Sequence, residues 1–465
     1  MNKNKRSKFM TNVIILMVSQ LVVKLFGIIY KLYLTNKNGF GDIGNAIYGA
    51  AFQVYALFLS ITSTEMPNAI SSITSKKLSQ GNNKGAYRVF KVAFSIFGSI
   101  GFVLSLILYV FSSKIANIYL NMPETEEVLK ILSTSIFLVS IEAVLKGFFN
   151  GREKMSYTAH SQSLEQIVKA ISTIVMVEII ARVSDKNTVL MVQAAAIAIF
   201  TSNAVSVLYL MRQYIIVRKN VYIDINTSAY YKKERLRNII ENIFRIAIPI
   251  SLSTMLSLAT KTIDTFTIIR IGEKVVGYDE IKLQYGILSG KVETLISLPY
   301  SFNIAIATTL IPTITALKEK NDIKSVKRRI KKSIFATILI GLPISICMSV
   351  FSDIILKILF PNASLGAELL KISAWNIIIV VLIQTVNGAL QGLGIFKMPV
   401  IALSIGGILK LILNLILIRI PNLGIKGAII STIMSQLMTL IICLITLKKA
   451  INSINLKKQR KKKGF

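Results

Sequence analysis

Lys24 and Lys31 stand seven residues apart inside the apolar run Thr11 to Leu34. A spacing of seven returns a helix to nearly the same face, so both ammonium groups look one way. A lysine facing lipid near mid-bilayer costs roughly 2.5–3.5 kcal/mol on insertion scales. Two on one stripe are therefore expected to face a watery space within the membrane. Other ionisable or polar groups also fall inside apolar runs: Glu65 and Asn68 beside Pro67, then Lys261, Asp264 and Arg270, then Lys291 with Asn303 beyond Pro299, and lastly Lys410. If Lys24, Lys31, Lys261 and Lys291 all met lipid, the cost would reach about 10–14 kcal/mol. That matches the whole stability of a typical domain. These ten residues form the candidate substrate-binding set, and their positive balance selects anions. Lysines offer point charges to phosphate oxygens, which suits a reversibly bound lipid diphosphate headgroup. Lys31 and Lys291 have a second option, snorkelling to an interface.

Three acid–base spacings suggest local pairing. Lys261 and Asp264 are three apart and can pair on one face, and Glu142/Lys146 and Glu165/Lys169 each place the acid four residues before the base. The last two pairs are expected to neutralise themselves in a structural role. Lys410 has no acid within one helical turn, so it is expected to line the cavity or a groove beside it.

The elements that position these groups are membrane spans. The chain has 465 residues, 53% hydrophobic and only 17% charged, with a mean hydropathy of +0.61. Apolar runs near bilayer-spanning length recur throughout, and they lack the alternation of a membrane β-barrel. The pattern predicts an all-α polytopic membrane protein of about twelve transmembrane helices. Approximate limits are 10–35, 45–75, 87–111, 128–149, 158–183, 189–211, 242–270, 284–316, 332–351, 366–391, 399–419 and 425–447. The formal net charge of +33 falls mostly in alternate connectors and both termini. That is the positive-inside pattern: a plasma-membrane protein with cytoplasmic termini, attracted to anionic lipids. No basic stretch interleaves with aromatics on a soluble module, so nucleic acid is not an expected partner. Cys347 and Cys443 lie in apolar runs, and His160 is the one histidine, so neither a disulfide framework nor a metal or other cofactor is expected.

The chain repeats at about half its length. Gly147-Phe-Phe-Asn-Gly151 recurs as Gly388-Ala-Leu-Gln-Gly392, and at the same offset Ser163 and Lys169 meet Ser404 and Lys410. Two six-helix lobes follow, 1–215 and 242–447, with a cytoplasmic connector 216–241 and a basic tail 448–465. Six spans are an even number, so the lobes are related by a parallel pseudo-two-fold repeat, which in transporters places the substrate path between lobes. Pro67 is expected to break the second span, and Pro299 and Pro312 the eighth. Tyr230–Asn242 and Ile323–Ser333 carry Lys and Arg around an apolar stripe and are expected in the headgroup plane or as solvated connectors.

Several runs resemble a known family. Lys24-Leu-Phe-Gly-Ile-Ile-Tyr-Lys31, Ile47-Tyr-Gly before Tyr55-Ala-Leu-Phe-Leu-Ser60, Pro67-Asn-Ala-Ile-Ser71 and Lys84-Gly-Ala-Tyr-Arg-Val-Phe90 resemble the stage V sporulation protein B branch of polysaccharide biosynthesis proteins. So do Phe149-Asn-Gly-Arg152, Glu165-Gln-Ile-Val-Lys169, Leu390-Gln-Gly-Leu-Gly394, Leu413-Asn-Leu-Ile-Leu-Ile418 and Leu423-Gly-Ile-Lys-Gly-Ala428. The branch belongs with flippases for lipid-linked oligosaccharides and lipid II, in the wider group that includes multidrug and toxin extrusion transporters. The resemblance implies alternating access, with an undecaprenyl-pyrophosphate-linked saccharide carried from inner to outer leaflet. In related lipid II flippases cationic residues of the first span are important; Lys24 matches such a position and Lys31 lies one place from another. Members often have fourteen spans against about twelve here, lacking a pair that forms a lipid-tail groove, so the saccharide stays open.

Three other functions compete with this one. An ion-coupled drug or cation exporter of the same fold would want a carboxylate in the first span, which has lysines instead. A membrane enzyme needs a set of external or cytoplasmic catalytic groups, and Asp279-Glu280 alone is ordinary solvated surface. A non-transporting scaffold of an envelope-synthesis complex is the third. A coupling ion, if used, is expected at Asp264 or Glu65.

Overall fold

The computed structural model describes residues 23–62, 66–226, 234–319 and 322–462, and the regular elements among them are helices. In chain order they are α1 (23–36), α2 (Gly41–Thr62), α3 (Met66–Ser79), α4 (Asn83–Lys114), α5 (Thr125–Gly151), α6 (Met155–Val183), α7 (Thr188–Asn226) and α8 (Leu236–Val276). Then follow α9 (Tyr278–Gly286), α10 (Glu293–Glu319), α11 (Ile323–Val350), α12 (Ser352–Leu359), α13 (Ala367–Ser373), α14 (Trp375–Gly392), α15 (Lys397–Leu417) and α16 (Ile425–Lys462). π-helical turns, Ile115–Tyr119 and Ile287–Val292, extend α4 and join α9 to α10.

Each of the twelve expected spans coincides with helix, the first and second through their described parts. Nine stretches among the described residues are long and apolar enough to cross a membrane. The spans of α6 and α8 fall outside that group, and they carry Glu165, Lys169 and Glu178, or Lys261 and Asp264. Partners within the protein make such residues tolerable there: Lys146 for Glu165, Lys37 for Glu178, Glu293 for Lys261 and Lys410 for Asp264. The chain is an all-α multi-pass membrane protein.

Internal packing divides it into two compact units, Met1–Leu258 and Ala259–Phe465. This boundary falls later than the connector 216–241 because the first turns of α8 belong to the N-terminal core. Ile239, Ile243 and Ala247 pack there with Ile70, Phe97, Val144 and Leu210. An aromatic cluster anchors that core: the ring of Phe90 lies 4.6 Å from Phe148, and Phe148 lies 5.5 Å from Tyr214. The C-terminal core gathers Leu310, Ile314, Val326, Ile330, Val386 and Leu390.

Two local expectations are corrected. Helix α11 runs unbroken from Ile323 to Val350, so Ile323–Ser333 is not a separate surface helix. Its stripe of Ile323, Val326 and Ile330 is buried, the last two in the C-terminal core, which outweighs the headgroup plane for the same apolar face. Nor do Pro299 and Pro312 interrupt α10, which is helical through both. The irregularity in that span lies earlier, in the π-helical turn Ile287–Val292. The break expected at Pro67 adjoins residues 63–65, which lie outside the described residues.

The repeated glycines have one job in both units. A β-carbon on Gly147 would stand 2.8 Å from Ile70 Cβ, and one on Gly151 2.7 Å from Thr74 Cβ, so α5 and α3 touch through them. In the C-terminal unit a β-carbon on Gly388 would stand 2.6 Å from the Ala307 carbonyl oxygen, and one on Gly392 2.8 Å from Ile314 Cβ. Helices α14 and α10 thus repeat the approach of α5 and α3. Gly388→Val is expected to destabilise the protein by at least ~1–3 kcal/mol, because the obstructing atom is backbone and cannot rotate away. Thermal unfolding in detergent measures it; an unchanged melting temperature would mean that α10 and α14 do not meet at this glycine.

Candidate functional site

The first helix presents three stripes. Tyr30 and Leu34 are buried, whereas Leu25 and Ile29 are exposed apolar residues suited to lipid. At about 100° per residue, Lys24 and Lys31 fall on a third stripe, roughly 130° from the lipid-facing one and roughly 90° from the buried one. Lys24 is exposed and Lys31 half-buried. At the end of α1, Tyr33 donates to the Glu178 carboxylate of α6 at 2.8 Å, and Lys37 pairs with the same carboxylate. These bonds fix the rotation of α1 within its unit.

In the N-terminal unit, α2, α5, α6 and α7 line a half-open cavity of about 270 Å³. Lys146 donates to Glu142 at 2.8 Å and lies 3.8 Å from Glu165. Glu142 also accepts from the Ser206 hydroxyl. Lys169 sits over two rings, 5.0 Å from the centre of Tyr30 and 5.4 Å from that of Phe52. The Glu142/Lys146 pairing expected from spacing is present. Glu165 and Lys169 instead join a wider group in which the Lys146 ammonium lies near both acids and the Lys169 ammonium rests on aromatic faces.

The C-terminal unit has its own buried charge cluster. Lys410 of α15 donates to Asp264 of α8 at 2.6 Å, and both are largely buried. Asn414, one turn after Lys410, donates to Asp264 at 2.9 Å and to Thr267 at 2.8 Å. The expected pairing of Asp264 with Lys261 on its own helix is therefore corrected. Asp264 turns inward to α15, and Lys261, about half exposed, lies 3.9 Å from Glu293. Lys410 likewise has its acid, contributed by another helix.

The remaining candidates separate into buried and exposed. Lys291 is fully buried and donates to the Ala363 carbonyl at 2.6 Å, pinning the loop between α12 and α13. Asn303 is buried and donates to the Val381 carbonyl at 2.8 Å and to Gln384 at 3.0 Å, while accepting from Thr337 at 3.3 Å. Asn68 and Arg270 are exposed. Glu65 lies outside the described residues. Sequence reasoning passed over Tyr30, Gln166, Asn203 and Asn414. Asn414 had a signal, its i+4 spacing from Lys410; the others depend on which helices become neighbours.

Comparison with known proteins agrees with this architecture. The family model described as "Polysaccharide biosynthesis protein" matches residues 9–318, and the MatE model matches residues 249–416. The chain is 27% identical over 466 residues to the lipid II flippase MurJ of Bacillus subtilis (strain 168), covering 95% of this chain and 83% of the relative. It is 21% identical over 448 residues to stage V sporulation protein B of the same organism, covering 96% and 85%. Among solved structures, an inward-facing multidrug resistance MATE family transporter of the MOP superfamily superposes with a TM-score of 0.78 at 14% identity, over 96% of this chain and 99% of that one. A lipid II flippase MurJ structure in an inward closed conformation gives 0.69 at 17% identity, over 95% and 90%. The fold is that of the MOP-superfamily transporters, and by its family-model match the chain belongs to the polysaccharide biosynthesis protein family.

Proposed function

We propose that this protein is a flippase that carries an undecaprenyl-diphosphate-linked saccharide from the inner to the outer leaflet of the cell membrane by alternating access. The observation that carries the reading is the basic stripe of α1. Lys24 and Lys31 are turned away from the stripe of Leu25 and Ile29 that suits lipid, so an anionic headgroup would meet them on a face that acyl chains do not oppose. The similarity to proteins named as a lipid II flippase and a stage V sporulation protein supports the substrate class. Lys24 and Lys31 meet the diphosphate, and the exposed Lys261, Arg270 and Asn68 are further polar positions offered to the headgroup. Asp264, Lys291, Asn303 and Lys410 act mainly by holding their own unit in shape. Both termini lie in the cytoplasm, following the distribution of Lys and Arg. The protein performs no covalent chemistry on its cargo.

Reconstitution tests this directly. Proteoliposomes holding the full chain are expected to translocate a fluorescent undecaprenyl-diphosphate saccharide. The double variant Lys24→Gln, Lys31→Gln is expected to lose at least about tenfold in rate, since each lost charge-assisted contact is worth ~1.5–3 kcal/mol. Unaltered transport by the double variant would sink the proposal. Efflux of a cationic dye in place of the lipid would favour the exporter reading instead.

A further inference from the structure

The cavity inside the N-terminal unit has a chemistry of its own. Its wall combines carboxylates (Glu142, Glu165), ammonium groups (Lys146, Lys169) and carboxamides (Gln166, Asn203) with the rings of Phe52 and Tyr55. The two acids balance the two lysines, so the space offers no net field to a diphosphate or a free cation. It does offer donors and acceptors side by side. A sugar hydroxyl, which donates one hydrogen bond and accepts up to two, matches such a wall. The half-buried ring of Phe52 suits the C–H face of a pyranose. At about 270 Å³ the cavity lies just below the ~300–1,000 Å³ of drug-sized sites, which fits one sugar ring better than a long glycan.

Its position matters as much as its lining. Lys169 is buried and reaches the ring of Tyr30, and Tyr30 is the neighbour of Lys31. Lys169 of the cavity wall thus touches α1 at the residue before Lys31, within one compact unit. We infer that the half-open cavity lined by α2, α5, α6 and α7 is a saccharide subsite that receives the sugar attached to the diphosphate while Lys24 and Lys31 hold the phosphates. This rests on the reading of a lipid-linked saccharide as cargo, and it adds a discrimination that the basic stripe cannot supply. A stripe of lysines accepts any lipid diphosphate; a cavity lined for hydroxyls favours the one that bears a sugar.

Photocrosslinking tests it. A benzophenone amino acid is placed at Leu59, which lines the cavity, in the full chain in proteoliposomes. Two probes are compared: undecaprenyl diphosphate carrying one N-acetylated sugar, and undecaprenyl diphosphate without sugar. The sugar-bearing lipid is expected to crosslink about tenfold more strongly, a difference of ~1.4 kcal/mol in binding. Ala143→Phe, which fills the space, and Gln166→Leu, which removes a donor and an acceptor at similar volume, are each expected to reduce that labelling to the sugar-free level. Equal labelling by the two lipids overturns the subsite, as does labelling that survives both variants. Absence of labelling while the sugar-bearing lipid is still translocated also overturns it, leaving the transport reading standing. Failure to translocate either lipid removes both.

Discussion

Lys410→Met is expected to lower the unfolding free energy by about 3–5 kcal/mol, because it strands the Asp264 carboxylate in the interior of the C-terminal unit. Lys410 is the cation nearest that carboxylate, at 2.6 Å, and is itself only 3% exposed. Asn414 would remain, donating at 2.9 Å, but an amide dipole does not neutralise a charge. On the scale of a unit of this size, the melting temperature should fall by on the order of 10 °C. The double variant Lys410→Met, Asp264→Asn removes both charges and leaves hydrogen-bonding groups for Asn414 and Thr432. It is expected to recover most of the loss, since a neutral well-packed replacement of a buried pair is often close to neutral in stability. Thermal unfolding of the three proteins in one detergent closes the cycle. If the single variant melts with the wild type, Asp264 is not held by Lys410. If the double variant is no better than the single one, the loss comes from packing by the lysine stem and not from charge.

The fold was legible because its signal is long-range and redundant. Twelve apolar runs of bilayer length have few structural solutions, and helix is the one that satisfies its own backbone within each run. The glycine repeat was legible for a similar reason: Gly147/Gly151 and Gly388/Gly392 keep the same four-residue spacing, and a helix pair brought that close tolerates little else. The buried charges were legible as a set and not as pairs. Spacing along one helix correctly gave Glu142 with Lys146. It gave the wrong partner for Asp264, because Lys261 at i−3 looked sufficient while the true partner lies 146 positions on. Nothing local marks which face of α8 turns toward α15. Tyr30 shows the same limit. As a residue it is an ordinary aromatic in an apolar run; only the packing of α6 against α1 places the Lys169 ammonium on its ring.

Lys146→Met is expected to have a comparably large effect in the N-terminal unit, and its rescue pattern should differ. Lys146 lies between two acids, 2.8 Å from Glu142 and 3.8 Å from Glu165, and Glu142 is only 2% exposed. Without the ammonium, two carboxylates face a shared interior space, and their mutual repulsion adds to the cost of an unneutralised buried charge. The loss should again reach about 3–5 kcal/mol. Because two acids are involved, Glu142→Gln alone is expected to restore only part of it, and Glu142→Gln with Glu165→Gln the greater part. In the C-terminal unit one change suffices, since among the described residues Asp264 is the carboxylate paired with Lys410. Melting temperatures of the single, double and triple variants measure this stepwise recovery. Full rescue by Glu142→Gln alone would show that Glu165 is neutralised elsewhere, for which the Lys169 ammonium one turn along α6 is the nearest source by helical spacing. The triple variant also separates stability from recognition. It leaves Lys169 as the remaining charge of the four while removing the other charged donors and acceptors that a sugar would meet, so the protein should melt nearer the wild type than Lys146→Met does and still lose preference for the sugar-bearing lipid.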